Sequence, residues 1–336
     1  MKSKTTLRIL REQDLRKILS VNKGLEIIEK TFRDYGSSMT QRLSDPTSLF
    51  SGSGQEGDAK FKVKGATLMT EGVTGIRLVS DLPSEQGVRA YHLLCVCDDR
   101  TGAPIGLIDE TWLHRFRTAL TGVVAAKFLA RPEAKTVALL GAGAIAKELF
   151  PALTNSFRLK EIRVVTRHEE SSKKFCKLFD EHFEPDFIPF KFPKSALDGA
   201  DIVISLTFAE KALILPGMLS PGVFVCSMGE TEEVSFGVLD EIDVFVVDEL
   251  NYATVLGDIS VWLKKQLATR EEIEQRIDAN IGEVIAKKRG LRKSNDQRIL
   301  AIIQGMAICD LALANYALRS SFAMDLGQDL NVFDWL

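Results

Sequence analysis

Apolar and polar positions along the chain fall into two regimes that meet near residue 130. In the first, Lys60 to Leu68, Gly75 to Leu82, Val88 to Cys97 and Pro104 to Asp109 read as β-strands, with Asp99-Arg100-Thr101-Gly102 as the hairpin turn between the last two. Ahead of them the pattern predicts a short strand, Leu7 to Leu10, and two amphipathic helices. Leu15, Ile18 and Leu19 line one helix; Leu25, Ile28 and Phe32 line the other. Ser51 to Gly57 reads as a turn or loop. A long helix over Trp112 to Leu129 stops near Arg131-Pro132.

From Thr136 short apolar runs alternate with helical stretches. Strands are expected at Val137 to Leu140, Glu161 to Arg167, Phe187 to Phe190, Ala200 to Leu206, Val223 to Ser227 and Asp243 to Asp248, with Ser171 to Phe183 among the helices. Alternation of this kind predicts an α/β fold, a Rossmann-type doubly wound parallel sheet, joined to a mixed α+β domain. Glu271 to Ala317 reads as helical with breaks at Gly282 and Gly290. The expected division is 1–118 with about 318–336 for the mixed domain, and 119–317 for the parallel-sheet domain.

Bulk properties narrow the setting. The 336 residues, 45% hydrophobic and 26% charged, suit a soluble globular protein of about two domains. A net charge of −3 gives no electrostatic reason for a nucleic-acid or anionic-membrane partner. The local basic run Lys287-Lys288-Arg289 reads as a solvated loop. Five scattered cysteines, with Cys95 and Cys97 on one strand face, show neither a disulfide framework nor zinc spacing. The expectation is a cytoplasmic protein without a bound metal, signal peptide or membrane span.

Chemistry enters at Thr136-Val137-Ala138-Leu139-Leu140-Gly141-Ala142-Gly143-Ala144-Ile145-Ala146, where a strand breaks at two glycines and passes into a helix. Gly141 permits the tight turn, Gly143 lets backbone approach a pyrophosphate, and small Ala146 lets helix and strand pack closely. The helix N-terminus that follows, from Ala144 and Ile145, offers free N–H groups to that pyrophosphate. At the end of the second strand stands Thr166-Arg167-His168, where an acidic residue would instead read the ribose of NAD. A hydroxyl and a guanidinium suit a 2′-phosphate, so NADP is favoured, with NAD possible.

Three further runs are Lys62-Val63-Lys64-Gly65-Ala66 with Gly75-Ile76-Arg77-Leu78-Val79-Ser80, Asp109 through Gly122, and Gln304-Gly305-Met306-Ala307-Ile308-Cys309-Asp310-Leu311. With the glycine motif, in this order from about Lys60 to Ala317, they resemble the ornithine cyclodeaminase/mu-crystallin family. The resemblance implies a homodimer whose Rossmann domain is joined to a second domain supplying substrate contacts and the dimer interface. By the same resemblance Arg117 holds the substrate carboxylate, Arg42 is a second carboxylate-binding arginine, and Thr118 and Thr121 lie near the cofactor phosphates. Thr207 faces the nicotinamide half, and Gly305 and Asp310 match a small-residue helix near the nicotinamide. Two departures stand out. Arg77 replaces the family's substrate-contacting lysine, leaving Lys64 to supply an ammonium, and Glu230 stands where the family has an aspartate facing the substrate amine. His92 and His114 are candidate proton donors, while Asp248 and Asp258 read as structural acids.

The mechanism these readings predict moves a hydride at the α-carbon of a small amino acid or its imine, with Arg117, Arg77 and Arg42 binding substrate and Glu230 or Lys64 managing protons. The first reading is an NADPH-dependent imine (ketimine) reductase or amino-acid dehydrogenase. The alternatives are an ammonia-lyase of the ornithine cyclodeaminase type, recycling NAD(P), and a mu-crystallin-like NADPH-binding protein.

Overall fold

The structure is a computed structural model that describes residues 6–37, 41–43, 48–51, 60–84, 87–180, 183–287 and 291–332. Most of the expected serine–glycine loop, and Lys288 and Arg289 of the basic run, lie outside the described residues. The chain divides into two compact units, Met1–Arg117 with Met306–Leu336, and Thr118–Gly305.

In the first unit, β1 (Thr6–Leu10), α1 (Glu12–Ile18) and α2 (Val21–Ser37) lead into β2 (Gln41–Leu43), β3 (Ser48–Ser51), β4 (Lys60–Leu68), β5 (Val73–Ser84), β6 (Gly87–Asp98) and β7 (Pro104–Asp109). The helix α3 (Thr111–Leu129) starts here and runs on into the second unit. The sheet order is β16-β1-β7-β6-β5-β4-β2, closed at one edge by β16 (Gln328–Asn331), with β3 also pairing β4. Side chains alternate across it, as the pleat requires. Ala66, Leu68, Val73, Val79, Leu94 and Val96 are buried, while Ile76, Leu78, Tyr91 and Leu93 are exposed. Three charged or ionisable residues, Lys64, Arg77 and His92, also fall on buried positions.

The second unit carries β8 (Thr136–Leu140), α4 (Ala144–Ser156), β9 (Glu161–Val165), α5 (Glu169–Asp180), β10 (Asp186–Phe190), α6 (Pro193–Leu197), β11 (Ile202–Ser205) and β12 (Phe224–Ser227). A 3₁₀ turn (Phe236–Glu241), β13 (Val244–Val247), α7 (Leu250–Ala253), α8 (Gly257–Lys264), α9 (Arg270–Arg276), β14 (Ala279–Asn280), α10 (Ile281–Ile285) and β15 (Ile299–Ile302) complete it. Its sheet has the order β10-β9-β8-β11-β12-β15-β13-β14 and is parallel throughout. Strands β11, β12, β13 and β15 are buried along their whole length, which is why they read as unbroken apolar runs. The order reverses direction between β8 and β11, so a ligand crevice is expected outside the carboxyl ends of those strands. The expected doubly wound architecture is therefore present. Among the described residues no helix is long and apolar enough to cross a membrane.

Two expectations change. Glu271 to Ala317 is not simply helical: β15 inserts between β12 and β13 in the centre of the sheet. The return to the first unit comes at Met306, not near residue 318, because α11 (Ala307–Ala323) packs on α1, α2 and β4–β6. Its buried Leu311, Ala314 and Leu318 belong to that core.

Candidate active site

Two helix starts and one strand bring an ionic cluster together inside the first unit. Glu110 directly precedes α3, and the backbone N–H of His114 donates to its carbonyl at 2.8 Å. Glu110, His114 and Arg117 therefore recur at helical spacing on one face. Asp310 lies in the first turn of α11, and Arg77 points inward from β5. Arg77 Nε lies 3.0 Å from Glu110 Oε1, and Arg77 Nη1 lies 3.5 Å from Asp310 Oδ2. Arg117 Nε donates to Asp310 Oδ1 at 2.6 Å. Both arginines also donate from Nη2 to His114 Nδ1, at 3.1 Å from Arg77 and 2.9 Å from Arg117.

Charge bookkeeping decides what this cluster can bind. Two guanidiniums face two carboxyl groups, all four almost fully buried. Burial works against charge on Asp310, but Arg117 and Arg77 outweigh it and hold its pKa at about 2. Glu110 goes the other way: burial, reinforced by the Asp310 charge and opposed by Arg77, raises it to about 8. Geometry agrees, because the Arg77 Nε–H points to Glu110 Oε2, at 3.1 Å, and leaves Glu110 Oε1 and Asp310 Oδ2 buried without a hydrogen bond. One proton on Glu110, donated to Asp310, satisfies both atoms. At neutral pH the cluster then carries one net positive charge, which suits an incoming carboxylate.

Glu110, His114 and Asp310 offer ligand atoms within 4.8 Å of one another, the spacing of a metal site. The arginines already donate to an atom of each of the three, Glu110 Oε2, Asp310 Oδ1 and His114 Nδ1, and a cation would meet two fixed positive charges there. The set fits guanidinium, not metal. Lys64 is buried beside Arg77, its register partner across β4 and β5. Arg42 lies in β2 opposite Thr67, and its side chain lies outside the described residues. His92 packs edge-on against His114 at 4.9 Å and reaches Asp81 Oδ1 at 3.3 Å.

In the second unit the glycine turn has the form its sequence requires. Gly141 adopts φ +96°, and a Cβ there would lie 2.4 Å from the carbonyl oxygen of Leu206. Gly143 caps α4 with no side-chain hydrogen bond, and a Cβ on it would meet nothing within 4 Å. Among the described residues nothing demands that glycine. Open space at a bare helix N-terminus is what an approaching pyrophosphate needs, so the residues present fit a dinucleotide. Ala144 and Ile145 form the first turn behind it. Beyond β9 the Thr166 hydroxyl donates to the His168 carbonyl at 2.7 Å, and Arg167 and His168 are exposed.

Thr207 sits against the glycine turn, its Cγ2 lying 3.1 Å from where a Gly141 Cβ would be. Its backbone N–H donates to Glu233 Oε1 at 2.5 Å. Glu233 Oε2 also accepts from Gly229 N at 2.8 Å and Ser227 Oγ at 3.1 Å. Asp258, from α8, accepts from the backbone of Glu233 and Val234 at 2.6 and 2.8 Å. Burial and the neighbouring Glu233 raise Asp258 to about 7. Glu230 is exposed, so the fully buried acid of this loop is Glu233, which sequence reasoning did not single out. Gly305 lies in the turn before α11 rather than in a helix, with φ +85°, and donates to Asp248 Oδ2 at 2.5 Å. Thr118 is buried on α3, and its carbonyl accepts from the Thr121 hydroxyl at 2.8 Å. Glu110 was not singled out either: it stands two residues before the helix expected from Trp112, seven residues ahead of Arg117.

Comparison with known proteins relates the chain to one family. The sequence pattern of the ornithine cyclodeaminase/mu-crystallin family matches residues 6–321. Alanine dehydrogenase of Archaeoglobus fulgidus is 24% identical over 332 residues, covering 97% of this chain and 98% of the relative. Among solved structures, Thermococcus litoralis Δ1-pyrroline-2-carboxylate reductase, in complex with NADH and L-proline, superposes with a TM-score of 0.86 at 21% identity, covering 96% of this chain and 100% of that one. An archaeal alanine dehydrogenase dimer with bound NAD gives 0.84 at 23% identity, covering 98% and 100%.

Proposed function

The chain belongs to the ornithine cyclodeaminase/mu-crystallin family, and from that premise we propose that it is an NAD(P)-dependent oxidoreductase of small amino or imino acids, working as an NADPH-dependent imine reductase. The observation that carries the reading is the buried Arg77–Arg117 pair, whose cluster keeps one net positive charge for a substrate carboxylate. Relatives and structural neighbours named alanine dehydrogenase and Δ1-pyrroline-2-carboxylate reductase support that substrate class. NADPH is favoured over NADH because Thr166-Arg167-His168 carries no carboxylate, and the acids that follow, Glu169 and Glu170, lie in the first turn of α5 and pair with Lys173.

When bound, the nicotinamide supplies the hydride for the substrate's α-carbon. The chain's own residues do the rest. The Gly143 turn and the first N–H groups of α4 hold the pyrophosphate. Glu233 fixes the loops that carry Thr207 and Gly229. Arg117 and Arg77 hold the carboxylate, with Arg42 as a further contact. Lys64, buried beside Arg77, or Glu230 delivers the proton to the substrate nitrogen.

The test is NADPH oxidation with Δ1-pyrroline-2-carboxylate and Δ1-piperideine-2-carboxylate, beside ammonia release from ornithine with catalytic NAD. Arg117→Lys keeps the charge and spares Asp310 a bare burial, but loses the planar fork. It should raise the imino-acid KM on the order of tenfold or more while NADPH affinity holds. A variant that loses NADPH and saturates normally with imino acid would refute the carboxylate role. Ammonia release without net NADPH consumption would move the reading to a cyclodeaminase.

A further inference from the structure

We propose that His114 is a positioning residue of the carboxylate grip: its Nδ1 is the shared acceptor that ties the Nη2 ends of Arg77 and Arg117 together and fixes the spacing of the two guanidiniums. This rests on the reading that the arginine pair binds a substrate carboxylate.

Guanidinium nitrogens only donate, so the contacts at 3.1 and 2.9 Å require a lone pair on Nδ1. The ring is then neutral with its proton on Nε2. Two like charges gathered at one point repel unless an acceptor lies between them. A carboxylate there would hold them more tightly, yet cancel the positive charge that a substrate carboxylate needs. A neutral imidazole holds both arginines and leaves their charge intact.

The surroundings fix that state from every side. Arg117 lies on the same helix, Arg77 on β5, His92 on β6 and Lys62 on β4, and each disfavours a further positive charge on His114. Burial, the largest influence, adds to them and carries its pKa well below the ordinary histidine value. Glu110 and Asp310 are engaged by the arginines. The ring is held edge-on by His92 at 4.9 Å, and His92 is itself anchored on Asp81, which lies 3.8 Å from Lys62.

Two substitutions separate this role from simple packing. An asparagine amide oxygen occupies the place of a histidine Nδ1, whereas a glutamine oxygen occupies that of Nε2. With NADPH and Δ1-pyrroline-2-carboxylate, His114→Ala should raise KM on the order of tenfold with a smaller change in kcat, the loss of hydrogen bonds to charged groups. His114→Asn should recover most of that loss, and His114→Gln should not. Independently of turnover, ¹⁵N NMR of the wild-type protein at neutral pH should show, for the ring whose signals vanish in His114→Asn, a bare Nδ1 and a protonated Nε2; His92, which reaches Asp81 through Nε2, keeps its own signals in that variant. The chain has four histidines, so the assignment is direct. A protonated Nδ1 overturns the proposal whatever the kinetics, as does Gln matching Asn or Ala keeping the wild-type KM. The expected tautomer in a protein that turns over no imino acid would support the shared acceptor and remove the substrate reading instead.

Discussion

The backbone N–H of Thr207 donates to the carboxylate of Glu233, and that one side chain thereby joins the loop after β11 to the loop after β12. Both loops leave the carboxyl ends of the sheet, where the crevice for a dinucleotide opens, and Thr207 also abuts the Gly141 turn. Removing the acid strands several buried donors at once. Glu233→Ala should cost on the order of 3 kcal/mol or more of stability, since each unsatisfied buried donor costs about 1–3 kcal/mol. Glu233→Gln should cost less, because one oxygen remains. Denaturant melts should rank wild type, Gln, then Ala, with NADPH affinity falling in the same order. An alanine variant as stable as wild type would show that these bonds hold nothing in place.

The proton on Glu110 makes the grip sensitive to alkali. With its pKa raised to about 8, Glu110 is neutral below that pH and the cluster keeps its net positive charge. Above it Glu110 ionises, the cluster becomes neutral, and affinity for a carboxylate should fall. Pyrrole-2-carboxylate is a suitable probe because its ring nitrogen does not titrate in this range. Its inhibition constant should rise above about pH 8 in the wild type and stay level in Glu110→Gln, whose side chain is neutral throughout. A level wild-type profile into the alkaline range would mean that Glu110 is already ionised.

Local pattern made some of this visible and hid the rest. The period of Lys60 to Leu68 and the glycine turn after Leu140 read correctly because each depends on neighbours in sequence. Ile299 to Ile302 did not, since a short, wholly apolar run fits a buried strand and a helix face equally well. Arg77 looked like a substituted substrate contact. That it also has buried carboxyl partners depends on Glu110 and Asp310, the second of which arrives from α11 near the far end of the chain. Glu233 stands three residues after Glu230, and nothing local tells which of the two acids turns inward. Only the donors at Thr207 and Gly229 decide it.

The exposed face of the first unit's sheet gives an assembly prediction. Ile76, Leu78, Tyr91 and Leu93 are exposed, and Leu78 and Leu93 are cross-strand partners. A contiguous apolar face of this kind calls for a covering surface, and a second copy of the chain is the occupant expected from the family resemblance. Leu78→Lys with Leu93→Lys should convert a dimer to monomers, because each buried leucine lost removes about 1.5–3 kcal/mol and each dimer loses two sets. Light scattering at micromolar concentration reads the result. A wild-type monomer, or a double variant that stays dimeric, would rule this face out.

Cofactor choice gives the most direct test of the redox assignment. The Thr166 hydroxyl already closes the turn on the His168 carbonyl, which leaves Arg167 exposed beyond the carboxyl end of β9. In the parallel register Phe190 pairs with Val165, so Lys191 follows at the neighbouring strand end as a second cation. A 2′-phosphate placed there meets positive charge, whereas Thr166→Asp would set a carboxylate beside it. That variant should weaken NADPH on the order of tenfold, the effect of about 1.4 kcal/mol between like charges in a partly screened cleft. NADH should be unaffected or tighter, because the new oxygens accept from the ribose hydroxyls. Arg167→Ala should weaken NADPH in the same sense and leave NADH nearly unchanged. Dissociation constants for both cofactors, measured by nucleotide fluorescence without substrate, decide the matter. Wild-type preference for NADH, or equal loss of both cofactors in the variants, would show that Thr166-Arg167-His168 does not read the ribose. The case for net reduction would then pass to the substrate panel alone.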